Sequence, residues 1–190
     1  MNEEMLRQAC KGYKRLEGKA GFYDIAVEIA DSNPLQAAIM VLAVWNSARF
    51  RLMTSDGQNL IDLQKAIEEC APLFERLKGT QLTAADFDEI KDTVKQIYSG
   101  LSKVKGVEYT GASKIMHLLS RDLFVMWDRE IREKYGYHKA NEDEYLAFLK
   151  EMQRKFKSIK WSLSNKTLAK AIDEYNQVTI TIPKRQKRKD

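Results

Sequence analysis

The chain has 190 residues, of which 44% are hydrophobic, and it carries a formal net charge of +5 with only three prolines and nine glycines. That length suits one compact domain or two small helical lobes, and the scarcity of proline and glycine excludes a disordered chain or a loop-rich β sandwich. No apolar run approaches the roughly 18 residues of a membrane span, and the acidic, polar start MNEEMLRQ is unlike a secretory signal, so we expect a cytoplasmic protein without a membrane partner.

The cysteines and histidines are too few and too scattered for a metal centre. Cys10 and Cys70 lie far apart, which fits a reducing compartment better than a disulfide. His117 and His138 have no metal-ligand spacing with each other or with the cysteines. We therefore expect neither a metal nor a cofactor.

Much of the positive charge lies in the last seven residues, 184–190, which hold five basic residues and one acid. A tail of this kind adds salt-sensitive, sequence-independent attraction to phosphate. The same composition is typical of a solvated, disordered terminus. The remaining body, residues 1–183, is nearly neutral and is expected to form a single domain.

Helical spacing predicts helices over residues 3–17 and 22–29. Asn33 and Pro34 form a strong start signal, and the following run 35–45 is apolar except at Gln36. A helix that is apolar all round is buried, so this segment is expected to be the central core helix.

A polar segment follows the run 35–45 and contains Asn46, Arg49 and Arg51. Groups at the exit of a buried helix are well placed to face a cleft. Arg49 and Arg51 also suit the negative end of the helix dipole, which is a purely structural role.

The next elements are predicted from the helical spacing of apolar residues and from helix-breaking residues. A helix is expected over residues 58–77, bent or split by Pro72. The segment 83–86 resembles a capping box and predicts a helix from Phe87 towards Gly100.

Towards the C-terminus, Asn141 and Asn165 are predicted to begin two further helices. The alternating run 178–183 predicts a short strand. The chain is thus expected to be nearly all helix, with roughly nine or ten helices.

Residues 101–120 predict a helical hairpin. The first helix ends near Lys105 and Gly106, and the second begins near Tyr109 with unpaired N–H groups that suit a phosphate. Lys114 lies off the apolar stripe of this second helix and is expected to reach a DNA backbone. The alternative is an ordinary hairpin with an exposed lysine.

Residues 124–136 predict an acid held at a fixed point. Asp128 follows the apolar run 124–127 and stands where a helix starts. Helix N–H groups hold such a carboxylate ionised and oriented, so that it stabilises positive charge on a sugar ring and orients an attacking water. The simpler interpretation is an N-cap and nothing more.

Together the runs 105–114 and 125–131 resemble the helix-hairpin-helix DNA glycosylase superfamily, most closely its archaeal and bacterial 8-oxoguanine DNA glycosylase branch. The resemblance implies an all-α, two-lobed helical domain with a cleft between the lobes, and Asp128 as its catalytic acid. It covers residues 33–176 in the order of elements and is specific only over 101–136.

Two residues depart from the family pattern. Glu108 stands where the family has its second hairpin glycine. A turn with positive φ tolerates a glutamate poorly. Thr110 stands where bifunctional members carry a Schiff-base lysine, and threonine forms no imine. Lys114 lies one turn further on and Lys105 precedes the turn. A monofunctional enzyme is therefore implied, with Lys114 or Thr110 as assisting groups.

The resemblance also implies further contacts to DNA. In that superfamily, the polar run after the first core helix fills the hole left by a flipped base. The resemblance assigns this role to Asn46 and Arg49. The expected DNA-binding residues are Lys105, Gly106, Val107, Gly111, Lys114, Asn46 and Arg49. Trp45, Tyr109 and Trp127 are candidates for stacking on a base, although each is equally well explained as a core aromatic, and Trp161 is expected to be packing.

Two hypotheses follow. The first is a DNA repair N-glycosylase, a hydrolase of N-glycosyl bonds that flips out a damaged or mismatched base for excision. It would be a monomer in the cytoplasm, associated with the nucleoid in a prokaryote. The second is a non-catalytic helix-hairpin-helix module that binds DNA or a protein, in which Asp128 is only a cap.

Overall fold

The computed structural model describes residues 2–163 and 165–188. All regular structure in these residues is helical, which confirms the all-α prediction. The elements are α1 (Glu3–Glu17), α2 (Ala20–Ile29), α3 (Pro34–Trp45), α4 (Ser47–Thr54), α5 (Gly57–Arg76), α6 (Lys91–Ser102), α7 (Glu108–Leu119), α8 (Arg129–Lys134), α9 (Glu142–Phe156), α10 (Leu168–Asn176), a π-helical turn (Gln177–Thr181) and α11 (Ile182–Gln186). No helix in the described part of the chain is both long and apolar enough to cross a membrane.

Side-chain caps set several of these helix starts. Asn33, Asp128 and Asn141 each accept a hydrogen bond from the backbone N–H three residues on, as their sequence contexts predict. Asp56 caps α5 through the N–H of Gln58. Pro72 does not split the helix, because α5 continues through it to Arg76.

Two predicted helix starts are displaced. The segment 83–86 does not open a helix, because the Asp86 carboxylate accepts from the N–H groups of Asp88 and Glu89 and closes a turn instead. The helix α6 begins only at Lys91. Thr167, rather than Asn165, caps α10.

The predicted strand at 178–183 is wrong. Thr179 Oγ1 donates to the Tyr175 carbonyl at 2.7 Å, and Thr181 turns inward, so the segment continues the helical path of α10 as a π-helical turn. The alternation of apolar and hydroxyl residues reflects these two side-chain roles rather than a pleated surface. The turn packs against α8.

The central buried helix is α7, not α3. All eight residues from Gly111 to Leu118 are buried. In α3, four residues are buried, whereas Leu35, Ile39 and Trp45 remain partly exposed. Because α7 packs against both α3 and α6, it has no solvent face along this stretch, and this places its polar side chains inside the protein.

Candidate functional site

The connection between α6 and α7 is a tight turn packed against α4. Gly106 adopts φ +92, and a Cβ atom there would lie 2.9 Å from Met53 Cβ. Asn46 Nδ2 donates to the carbonyl oxygens of Gly106 and Val107 at 3.2 and 3.0 Å. Asn46, Gly106 and Val107 are therefore buried in the scaffold of the turn, and of the turn residues proposed to touch DNA only Lys105 is exposed.

Glu108 and Arg49 form an ion pair beside this turn. Glu108 has φ +52, the left-handed conformation that a glycine would adopt without strain. Its carboxylate lies 3.1 Å from Arg49 Nε, so Arg49 is directed at Glu108. Gly111 is buried against Leu42 and Asn46, where it allows α7 to approach α3 closely.

Lys114 is buried, with only 6% of the residue exposed, so it is not the exposed lysine that was expected to reach a DNA backbone. Its position on α7, which is enclosed on every side here, explains the difference. Burial lowers the pKa of Lys114, and the negative charges of Asp173 and Asp128 offset this only in part. No residue in the described ranges accepts a hydrogen bond from its amine.

Asp128 is an N-cap whose carboxylate is almost fully engaged. Its Oδ1 accepts from the Ile131 N–H at 2.9 Å, and Thr181 Oγ1 lies 3.2 and 3.0 Å from Oδ1 and Oδ2. Gln177 Nε2 donates to Oδ2 at 3.4 Å, and the Arg185 guanidinium lies 3.5 Å away. The π-helical turn and α11 thus lie over the acid, which is 7% exposed.

The basic tail is folded as far as it is described. Lys184 and Arg188 pair with the Glu130 carboxylate at 3.1 and 2.8 Å. Burial raises the pKa of Glu130, but its cationic partners, Lys184 foremost, outweigh burial and leave the pKa below its ordinary value. The disordered-tail interpretation is therefore wrong for residues 184–188, and Lys189 and Asp190 lie outside the described residues.

The stacking candidates occupy three different environments. Trp127 is fully buried against Tyr145 and Phe148, with ring centroids 5.1 and 5.4 Å away, so it is a core residue and is not placed to stack on a base. Tyr109 is half-buried and lies under the Arg132 guanidinium at 5.1 Å. Trp45 lines a large cavity.

Among the described residues, neither Thr110 nor Trp161 forms a hydrogen bond with Asp128. Thr110 is half-buried, and its carbonyl accepts from Ser113 Oγ at 2.9 Å. Trp161 Nε1 donates to the Lys166 carbonyl at 2.6 Å, and the ring lines the same cavity as Trp45.

The cavity lined by Trp45 and Trp161, the outer cavity, has a volume of about 840 Å³, which is within the range of small-molecule sites. Four aromatic residues are among those that line it: Tyr13, Tyr23, Trp45 and Trp161. Four basic residues, Lys14, Arg121, Lys166 and Lys170, also line it together with three acids, Asp24, Asp122 and Glu174, so the wall carries a small excess of positive charge. The outer cavity therefore offers flat apolar faces and cationic groups together.

A much smaller inner cavity of about 20 Å³ shares part of this wall. It is lined by Lys114, Met126, Asp173 and Gln177, together with residues of the outer cavity, Tyr13, Tyr23, Trp45 and Lys170 among them. Asp173 Oδ2 accepts from Lys170 Nζ at 2.8 Å, whereas Asp173 Oδ1 has no hydrogen-bond donor among the described residues. Gln177 connects the inner cavity to Asp128.

Tyr23 is held in the cavity wall by a buried histidine. His117 Nδ1 lies 2.6 Å from the Phe124 carbonyl, which can only accept, so Nδ1 carries the proton and Nε2 accepts from the Tyr23 hydroxyl at 2.7 Å. Burial lowers the pKa of His117 from 6.5 to about 4.

We expect this histidine to make the fold sensitive to acid. An unfolded chain protonates His117 as the pH falls through 6.5, but the folded protein does so only near 4, so stability is lost across that window. Wild type should lose about 3 kcal/mol more than His117→Gln between pH 7 and pH 4. Urea unfolding at both pH values measures this difference, and equal losses in the two proteins would contradict the neutral assignment.

Sequence reasoning missed the charged residues of α10 and the tyrosines opposite them. Lys170 and Asp173 are buried, and the Lys170 amine lies over the rings of Tyr13 and Tyr23 at 5.0 and 4.6 Å. A signal was present, because Lys170 and Asp173 are spaced i, i+3 among the apolar residues of an amphipathic helix. An ion pair on such a face indicates a buried polar site.

Comparisons with protein-family models, with curated proteins and with solved structures gave no match.

Proposed function

We propose that the protein is a DNA N-glycosylase that removes a damaged or mismatched base after flipping it out of the helix. The proposal is carried by one observation, the outer cavity with four aromatic residues in its wall, which adjoins the buried residues Lys114 and Asp173 and the half-buried Gln177 next to Asp128. A base inside a duplex is inaccessible to attack, so an enzyme of this class needs a cavity of this kind.

The walls of the outer cavity suit a flipped nucleotide. The polar ends of Trp45 and Tyr23 are occupied by Glu17 and His117, so their rings are fixed while their faces line the cavity. Stacking on such rings stabilises a base of any sequence. Lys14 and Arg121 in the same wall are suited to bind the phosphates on either side of that base.

The chemistry proposed for Asp128 is electrostatic. Cleavage of an N-glycosyl bond leaves positive charge on the sugar, and a fixed carboxylate nearby stabilises it. Thr181, Gln177 and the Ile131 N–H hold Asp128 in a single orientation. With Thr110 in place of an imine-forming lysine, the protein is proposed to be monofunctional and to act as a monomer on DNA.

The test is base release from duplexes that each contain one modified or mismatched base. We expect wild type to leave an abasic site in at least one of them, seen as a strand break only after hot alkali. Borohydride should trap no covalent complex, whereas trapping would show a bifunctional enzyme. The absence of base release from every duplex and from the matching single strands would contradict the proposed activity.

A second function, a non-catalytic DNA- or protein-binding module, is favoured by the enclosure of Asp128. Contacts from the π-helical turn and Arg185 satisfy the carboxylate in the manner of a structural cap. In that case DNA affinity depends on surface charges such as Lys105 and persists unchanged in Asp128→Asn. Binding titrations over a range of salt concentrations, with wild type and Lys105→Gln, measure that contribution.

A further inference from the structure

The inner cavity contains a carboxylate that is better placed for proton transfer than Asp128. We propose that Asp173 is the general base of the reaction proposed above, and that it takes a proton from a water bound between its Oδ1 and the Lys114 amine. This inference rests on the proposed glycosylase function and adds a second catalytic carboxylate to it.

The two oxygens of Asp173 differ in their surroundings. Oδ2 accepts from Lys170 at 2.8 Å, which fixes the carboxylate in place. Oδ1 has no donor in the described part of the chain, although the residue is only 2% exposed. A buried acceptor without a donor is destabilising, so its presence calls for a ligand that donates a hydrogen bond.

The inner cavity matches a single water in size and chemistry. Its volume of about 20 Å³ is close to the space that one water requires. Asp173, Lys114 and Gln177 are polar residues in its wall, and Asp173 Oδ1 is a buried oxygen that has no donor among the described residues. A water there would donate to Asp173 and contact Lys114, which positions it to react.

Lys114 suits the task of orienting this water. No described residue takes its hydrogen bonds, and burial lowers its pKa, so the amine is a hydrogen-bonding group held at the cavity wall without a partner of its own. Asp173 is the charged residue that acts most strongly on it, ahead of Asp128. The two side chains therefore form a pair across the inner cavity.

Asp128 is less suited to accept a proton. Its oxygens already accept from the Ile131 N–H, Thr181 and Gln177, and it does not line either cavity. The two acids thus have different roles: Asp128 supplies fixed negative charge, and Asp173 has an oxygen without a hydrogen-bond donor. Different environments commonly give two carboxylates of one site different roles.

The proposed step is a hydrolysis that balances. The bond from C1′ of the sugar to the base nitrogen breaks, and its electron pair leaves with the base. The water oxygen forms a bond to C1′ and loses a proton to Asp173 Oδ1, and that proton is passed on to the departing base or to solvent. No oxidant, reductant or further reactant is needed.

The experiment measures single-turnover excision by Asp173→Asn on a duplex that wild type processes. We expect the rate to fall by at least about 100-fold, the usual contribution of a general base, while the Kd for the duplex changes less than about threefold. Excision by Asp173→Ala should recover at least about tenfold in formate, which restores a carboxylate in the space that the side chain leaves. A purely structural role would not give formate rescue.

Glu130→Gln is the matched control. Glu130 is a buried carboxylate that pairs with basic side chains, as Asp173 pairs with Lys170, but it lines neither cavity. We expect Glu130→Gln to lose stability as well but to keep its excision rate within about fivefold of wild type. An equal loss of rate in Glu130→Gln, or full activity of Asp173→Asn, would overturn the role of Asp173.

A high-resolution crystal structure separates this inference from the proposed function. We expect an ordered water between Lys114 Nζ and Asp173 Oδ1 in wild type. If wild type and Asp173→Asn both excise the base, Asp173 is not the general base, but the glycosylase function still holds. The absence of excision by wild type would remove the function and this role with it, whether or not the water is present.

Discussion

We expect Asp128→Ala to lower the free energy of unfolding by about 3 kcal/mol. Loss of an N-cap alone costs about 1 kcal/mol. Here the change also removes the acceptor of the buried Thr181 hydroxyl, and an unsatisfied buried donor costs about 1–3 kcal/mol more. Chemical denaturation followed by circular dichroism measures the loss.

Asn141→Ala is the control for the cap alone. Asn141 accepts from the Glu144 N–H at 3.0 Å and begins α9 in the same way that Asp128 begins α8. Its replacement should cost about 1 kcal/mol. Equal losses in the two variants would show that the contacts from Thr181 and Gln177 contribute little.

We expect Gly106→Ala to be similarly costly, at about 3 kcal/mol. The residue has φ +92, where a side chain is strained, and a new Cβ would lie 2.9 Å from both the Cβ and the backbone nitrogen of Met53. Backbone strain of about 1–2 kcal/mol adds to overpacking of about 1–3 kcal/mol. Because Asn46 binds the carbonyl of the same residue, the turn cannot shift without losing that bond.

Gly136→Ala separates strain from crowding. Gly136 has a similar φ of +82, but a Cβ there would meet nothing within 4 Å. Its substitution should cost only the strain, about 1–2 kcal/mol. If both alanine variants unfold at the same denaturant concentration, packing of the turn against α4 is not what makes Gly106 necessary.

The parts of the fold that the sequence predicts best are those set by local chemistry. The N-caps Asn33, Asp128 and Asn141 are predicted correctly because each cap depends on only three or four neighbouring residues. The strand predicted at 178–183 fails because an alternating pattern cannot reveal that Thr181 is bound to an acid 53 residues away.

The burial of Lys114 illustrates a second limit. Periodicity assigns one apolar face to a helix and leaves the remaining positions to solvent, which places a lysine outside. In the protein, neighbours cover α7 on all sides, and the amine lies near Asp173 on α10. The pairing of these residues depends on contacts between distant segments, which no local pattern encodes.

Trp127 shows the same limit for the aromatic candidates. Its place beside Asp128 in the sequence suggested contact with a base, but the backbone at this point directs the ring into the core between Tyr145 and Phe148. The aromatic residues of the outer cavity come instead from α1, α2, the end of α3 and the segment that follows α9. Only Trp45 among the stacking candidates lines that cavity.

The central claim, that a buried acid beside the inner cavity promotes base excision, is tested most directly by the single-turnover rate of Asp128→Asn. Asparagine is also a good N-cap and can accept the hydrogen bond from Thr181, so we expect a folded variant. Its rate of base release should fall at least about 100-fold below wild type on the same duplex. A folded Asp128→Asn that releases base at the wild-type rate would contradict the claim.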